Sequence, residues 1–218
     1  LSTRAARAAR FRETDLYVVI TEAFCAGRAS LDVLDACLSA GVRLIQFREK
    51  HLDGGALYAQ AAAFRARTAA VDALLIIDDR VDIALAVGAD GVHLGQSDLP
   101  LAVARRIAPE LLLGSSSHNL EEALGAQEQG ADYVNIGPIF ATQTKDVPTG
   151  VVGPAMIDVI SPHLHIPFTV MGGIKLHNVG EVLARGARHP AVVTAVTVAE
   201  DPAAAAAALR ARILADRA

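Results

Sequence analysis

Residues 73–98 read ALLIIDDRVDIALAVGADGVHLGQSD. Two runs in this stretch, Ala73–Asp78 and Gly91–Leu94, are nearly continuous in apolar side chains, as strands buried on both faces are. A helical segment lies between them. Each run ends in polar residues: Asp78-Asp79-Arg80 after the first, Gly95-Gln96-Ser97-Asp98 after the second. Strand, helix, strand is the unit from which parallel sheets are built.

The same alternation extends in both directions. Further apolar runs at Leu16–Thr21, Arg43–Phe47, Leu111–Ser115, Tyr133–Ile139, Phe168–Met171 and Ala191–Val196 bring the total to eight. The intervening segments carry helix punctuation. Leu31–Ala40 stops before Gly41, and Asn178–Arg185 stops before Gly186. Asn119–Gln129 opens on an N-cap residue with Glu122 three positions later, the pattern of a capping box, and stops before Gly130. The last helix follows Asp201-Pro202 into six alanines. Open doubly wound sheets usually hold about five or six strands, and no GxGxxG follows the first strand here. Eight repeats close into a ring. The expected fold is α/β, a single-domain (β/α)8 TIM barrel over residues 15–218. Residues 1–14 are read as an N-terminal arm or helix; LSTRAARAAR has three arginines and no acid, a composition that transit peptides share.

Composition narrows the function classes. Of 218 residues, 52% are hydrophobic and 20% charged, ample for a large core. A net charge of −4 without a basic stripe argues against nucleic acid as a partner. The apolar runs fall well short of the roughly 18–20 residues that span a bilayer, which argues against a membrane role. Cys25 and Cys37 form no CxxC and signal neither a disulfide framework nor zinc. They read as buried free thiols of a reducing, cytoplasmic protein.

In such a barrel the chemistry gathers where strands end. After the second strand, alternation sends Gln46, Arg48 and Lys50 to one side and Phe47 and Glu49 to the other. Two cations and an amide at one mouth can bind an anion. Asp79 and Asp98 follow adjacent strands and would meet there as ligands for Mg²⁺. The competing reading makes Asp79 an N-cap and pairs Asp78 with Arg80. His93 lies within the fourth strand and reads as a hydrogen-bonded core residue. After the fifth strand, GSSSHN can take a phosphate at a helix start or simply cap it. Ser116 beside His118 lacks an identified orienting acid for nucleophilic catalysis. After the sixth, Thr142 and Thr144 put two hydroxyls on one side next to Lys145, and 143–153 reads as a mobile lid. The glycine pair in Met171-Gly172-Gly173-Ile174 and the Val192-Val193-Thr194-Ala195 stretch stand where barrels bind phosphate through backbone N–H groups.

Taken as an ordered set, QFREK, IIDDR, GVHLGQSD, GSSSH, GPIFATQTK, MGGI and VVTA resemble the thiamine-phosphate synthase family from Gln46 to Thr194. The resemblance implies a transferase that joins 4-amino-2-methyl-5-(diphosphooxymethyl)pyrimidine to 4-methyl-5-(phosphooxyethyl)thiazole and releases pyrophosphate. It implies that Gln46, Arg48 and Lys50 hold the diphosphate and that Asp79 and Asp98 ligate Mg²⁺. Asp78, Ser116 and Lys145 would face the pyrimidine substrate; Thr142, Thr144, Gly173, Val193 and Thr194 would hold the thiazole phosphate. Arg48, Lys50, Ser116 and Lys145 are the implied catalytic residues. Partners are then the two small phosphorylated molecules, and a homo-oligomer is left open. The chain departs from the usual family pattern at Asp78, where Asn is common, at Thr194 in place of Ser, and at Ser115-Ser116-Ser117 in place of Val-Ser-Thr. A related thiazole tautomerase usually lacks the second metal carboxylate; Asp98 favours the synthase, while His118 keeps the isomerase open. A non-catalytic phosphate-binding barrel is the third reading.

Overall fold

The computed structural model describes residues 2–142, 144 and 150–217. Among these, eight parallel strands follow one another around a closed barrel: β1 (Tyr17–Ile20), β2 (Leu44–Phe47), β3 (Leu74–Asp78), β4 (Gly91–Leu94), β5 (Leu112–Ser117), β6 (Tyr133–Ile136), β7 (Phe168–Met171) and β8 (His189–Val192). β8 closes onto β1 through Tyr17↔Ala191 and Val18↔Val192. The described helices are α1 (Arg4–Glu13), α2 (Ser30–Ser39), α3 (Gly54–Ala70), α4 (Val81–Val87), α5 (Leu101–Ile107), α6 (Leu120–Glu128), α7 (Ala155–Ile160), α8 (Val179–Leu183), α9 (Thr194–Thr197) and α10 (Pro202–Arg217).

Strand alternation divides the apolar residues between two cores. Tyr17, Leu44, Leu74, Ile76, Leu112 and Tyr133 point inward and fill the barrel. Their neighbours Val18, Ile45, Leu75, Ile77, Leu113 and Val134 point outward, under the helices. Because both faces are buried, the strands read as continuous apolar runs. Cys25 and Cys37 are free and buried, and burial pushes their thiols up to about 11 and 12.

Several strand ends differ from expectation; β5, expected to stop at Ser115, runs on to Ser117 and so contains Ser116. The eighth strand was expected over Ala191–Val196; it starts at His189 and stops at Val192, and Thr194–Thr197 forms α9. The β-branched run suggested a strand, yet the pairing with β1 ends at Val18↔Val192. The N–H groups of Val196 and Thr197 instead turn back onto the Val193 carbonyl. The sixth strand ends at Ile136 rather than Ile139, since Pro138 has no N–H to continue the ladder. The expected capping box is present in modified form. Asn119 Oδ1 accepts from the Glu122 N–H at 2.9 Å, while Glu122 Oε2 accepts from the His118 N–H at 2.8 Å.

The arginine-rich arm closes the N-terminal end of the barrel. Arg4 pairs with Asp132 at 2.7 Å, Arg7 with Asp90 at 3.5 Å, and Arg10 with Asp72 at 2.9 Å. Asp132 and Asp90 immediately precede β6 and β4, and Asp72 lies two residues before β3. Phe11 enters the inner core and stacks on Tyr133 with ring centroids 4.7 Å apart.

His189 lies beside this plug, its ring 5.0 Å from Phe11 and its Nδ1 3.4 Å from Thr14 Oγ1. Burial, with Arg217 adding, pushes its pKa down from 6.5 to about 4. The folded chain therefore keeps the ring neutral where the unfolded chain binds a proton. Stability from this group is intact above pH 6.5 and falls as pH drops towards 4, by about 3 kcal/mol over the whole window. His189→Gln should flatten that part of the profile. Urea midpoints at pH 7.5 and 5 measure it, and parallel slopes for both proteins would count against the buried neutral ring.

Candidate active site

The C-terminal strand ends gather the predicted residues into one mouth. Continuing β2, Arg48 lies 3.4 Å and Lys50 3.0 Å from Asp78 Oδ2, and Lys50 also bonds the Asp79 carboxylate. Glu49 turns the other way and accepts from the Glu22 N–H at 2.6 Å. Burial works against the Lys50 charge, but Asp78 and Asp79 outweigh it and push its pKa up. Lys50 stays an ammonium.

Asp79 adopts a left-handed backbone, φ 59°, uncommon for a residue with a side chain and one of the places where strain collects at sites. Its N–H donates to the His93 carbonyl at 2.8 Å, tying the β3 end to β4. On the next loop Asp98 accepts from the Gly95 N–H at 2.7 Å. Burial raises the Asp98 pKa, and the Asp79 carboxyl within hydrogen-bonding reach raises it further. Two carboxyl groups this close together, with cations beside them, suit a divalent cation by their donor chemistry. The competing structural reading does not hold. Arg80 forks onto Asp82 at 2.9 and 2.6 Å, and the N-cap of α4 is Arg80, without a side-chain cap bond.

A hydrogen-bond chain crosses the barrel beneath this cluster. Gln46 Nε2 donates to Tyr17 Oη at 2.7 Å, and Tyr17 Oη meets Tyr133 Oη at 3.1 Å. Tyr133 Oη lies 3.1 Å from His93 Nδ1, and His93 Nε2 3.0 Å from Ser116 Oγ. His93 is thus the hydrogen-bonded core residue expected of it. Gln46 is buried one layer below Arg48 and Lys50, so it supports the mouth from within. Sequence reasoning missed both tyrosines; their signal was a lone phenol opening each of two aliphatic strands. It also gave His118 no acid, whereas Glu122 Oε2 sits 2.8 Å from His118 Nδ1. Ser116 bonds His93 and not His118, which removes the Ser116–His118 nucleophile pair.

From Ser116 an open cleft runs past Asn135, Thr142 and Thr144 to Gly173, Val193 and Thr194. The Thr142 and Thr144 hydroxyls lie 2.6 Å apart. Gly173 has φ 62°, and a Cβ there would come 2.4 Å from the Ala141 carbonyl oxygen. Only glycine lets the β7 loop pass so close. Gln143 and residues 145–149 of the expected lid, Lys145 among them, lie outside the described residues.

A sequence profile described as thiamine monophosphate synthase matches residues 16–196, every strand of the barrel included. The chain belongs to the thiamine monophosphate synthase family. A thiamine-phosphate synthase of Chloroflexus aurantiacus is 44% identical over 198 residues, covering 91% of this chain and 92% of that one. The thiamine-phosphate synthase of Methanospirillum hungatei is 44% identical over 191 residues, 87% of this chain and 93% of that one. A solved thiamine phosphate pyrophosphorylase from Pyrococcus furiosus superposes with a TM-score of 0.88 at 37% identity, covering 94% of this chain and 98% of that chain. As a member of the thiamine monophosphate synthase family, the chain is a transferase, a thiamine-phosphate diphosphorylase, acting on small phosphorylated substrates. The tautomerase and the non-catalytic barrel are set aside. Membership in this family is also consistent with a metal-assisted reaction.

Proposed function

We propose that this mouth binds 4-amino-2-methyl-5-(diphosphooxymethyl)pyrimidine on its Arg48–Lys50–Asp79–Asp98 side and 4-methyl-5-(phosphooxyethyl)thiazole on its Gly173–Thr194 side. The observation that carries this is the meeting of the two halves at His93 and Ser116, cations and paired acids on one side, a glycine-lined cleft on the other. Asp79 and Asp98 hold a divalent cation, read as Mg²⁺, which when bound supplies charge neutralisation to a diphosphate. Arg48 and Lys50 disperse the charge that grows on the departing pyrophosphate, and Lys145 is assigned the same task. The C–O bond to the diphosphate breaks first, leaving a cation spread over the aminopyrimidine. Asp78 and Ser116 orient the ring. The thiazole nitrogen then donates its electron pair to the exocyclic carbon, so no enzyme nucleophile takes part. Thr142, Thr144 and the Gly173 and Val193–Thr194 backbone fix the thiazole phosphate so that this nitrogen faces the carbon. Gln46 acts from below, through Tyr17.

Among the described residues no helix is long and apolar enough to cross a membrane. Its buried thiols support a cytoplasmic setting.

Incubation of the protein with both substrates and Mg²⁺ tests the reading, with thiamine phosphate and pyrophosphate expected in equal amounts. Absence of product under these conditions would overturn it. Gly173→Ala probes the thiazole half. Its methyl would force the β7 loop away from Ala141, so KM for the thiazole phosphate should rise by roughly 10-fold or more, as loss of a positioned contact does. An unchanged KM in a folded variant would take Gly173 out of that subsite.

A further inference from the structure

We propose that Lys175 supplies the positive charge that binds the phosphate of the thiazole substrate. This rests on assigning that phosphate to the Gly173 and Val193–Thr194 loops, and it adds a residue to them. Lys175 stands two positions beyond Gly173, and its ammonium donates to Thr194 Oγ1 at 2.7 Å. The side chain therefore bridges the β7 and β8 loops that flank the cleft. Its backbone is held in place: the Lys175 N–H donates to Asn178 Oδ1 at 2.7 Å, and Asn178 Nδ2 donates to the Gly173 carbonyl at 3.1 Å. One asparagine thus couples the glycine turn to the lysine.

Among the described residues, no acid compensates the charge on Lys175. Arg48 and Lys50 are each paired with Asp78. Among the described residues no carboxylate forms an ion pair with Lys175, and none lines this half of the cleft. A partly buried ammonium without an anion is costly, and burial accordingly lowers its pKa. A phosphate dianion restores the balance. Thr194 assists: once its oxygen has accepted from Lys175, its own O–H is left to donate to a phosphate oxygen.

Calorimetry of the full chain with 4-methyl-5-(phosphooxyethyl)thiazole, paired with steady-state kinetics, tests the assignment. Lys175→Met should weaken binding about 10- to 100-fold, the range for loss of a charge-assisted hydrogen bond. KM for the thiazole phosphate should rise in step, while KM for the pyrimidine diphosphate stays within about twofold. Lys175→Arg, which keeps the charge, should recover most of the affinity. Lys175→Gln serves if the methionine variant does not fold. Equal affinities for wild type and the neutral variants would overturn the role of Lys175 alone. Wild type that fails to bind the thiazole phosphate would overturn the subsite beneath it, before any variant is compared.

Discussion

Asp98→Ala is expected to lower kcat by on the order of 10²- to 10³-fold, the usual loss when a preorganised electrostatic group is removed from a reacting centre. The melting temperature should move by no more than about 2 °C. The contrast follows from where Asp98 sits. It lies in the loop after β4 rather than in either packed core, and its contacts are the Gly95 N–H and the Asp79 carboxyl. The first bond can be replaced by water. The second is a contact with another acid, and burial together with that acid already discourages Asp98 from ionising, so its loss does not weaken the fold. With a single acid left, the cation expected between them is held less tightly, and the rate should need a higher Mg²⁺ concentration to saturate. Mg²⁺ titrations of initial rate, with melting curves alongside, provide the comparison. Wild-type rates at low Mg²⁺ would refute the ligand role.

At the opposite end of the barrel, Asp90→Ala should cost about 3–5 kcal/mol of stability, the range for stripping the partner from buried charges. A chain of this size should then melt about 10 °C lower. Asp90 is almost wholly buried. Arg65 approaches it at 2.8 Å, Arg7 at 3.5 Å and Arg10 at 3.6 Å, and its Oδ2 also accepts from the Leu75 N–H at 3.0 Å. Removing the carboxylate leaves Arg7, whose side chain is only 5% exposed, facing the interior without an acid. It also orphans a backbone donor at the base of β3. The catalytic mouth is at the other strand ends, so kcat per folded molecule should hardly change. Thermal melts and active-site-normalised rates would check both halves. A variant as stable as wild type would show that α1 is not anchored by this acid.

The strands, their order and the rim residues were legible in the chain because each depends on local periodicity. A strand buried on both faces must be continuously apolar, and a period of two fixes that Arg48 and Lys50 share a side that Glu49 does not. The family motifs lie at the strand ends for the same reason. Beyond those ends periodicity carries no information, and there the expectations failed: AVVTAV at 191–196 looks like one strand, but it ends where its partners end. Tertiary structure alone decided which distant groups meet. The arginines of α1 are a composition until barrel closure assembles Asp72, Asp90 and Asp132 beneath them. Tyr17, Tyr133 and His93 become a chain only because inward positions of β1, β6 and β4 project into a common interior. Local sequence sets the direction of each side chain, but closure of the ring sets its neighbour, and electrostatics and hydrogen bonds act between neighbours.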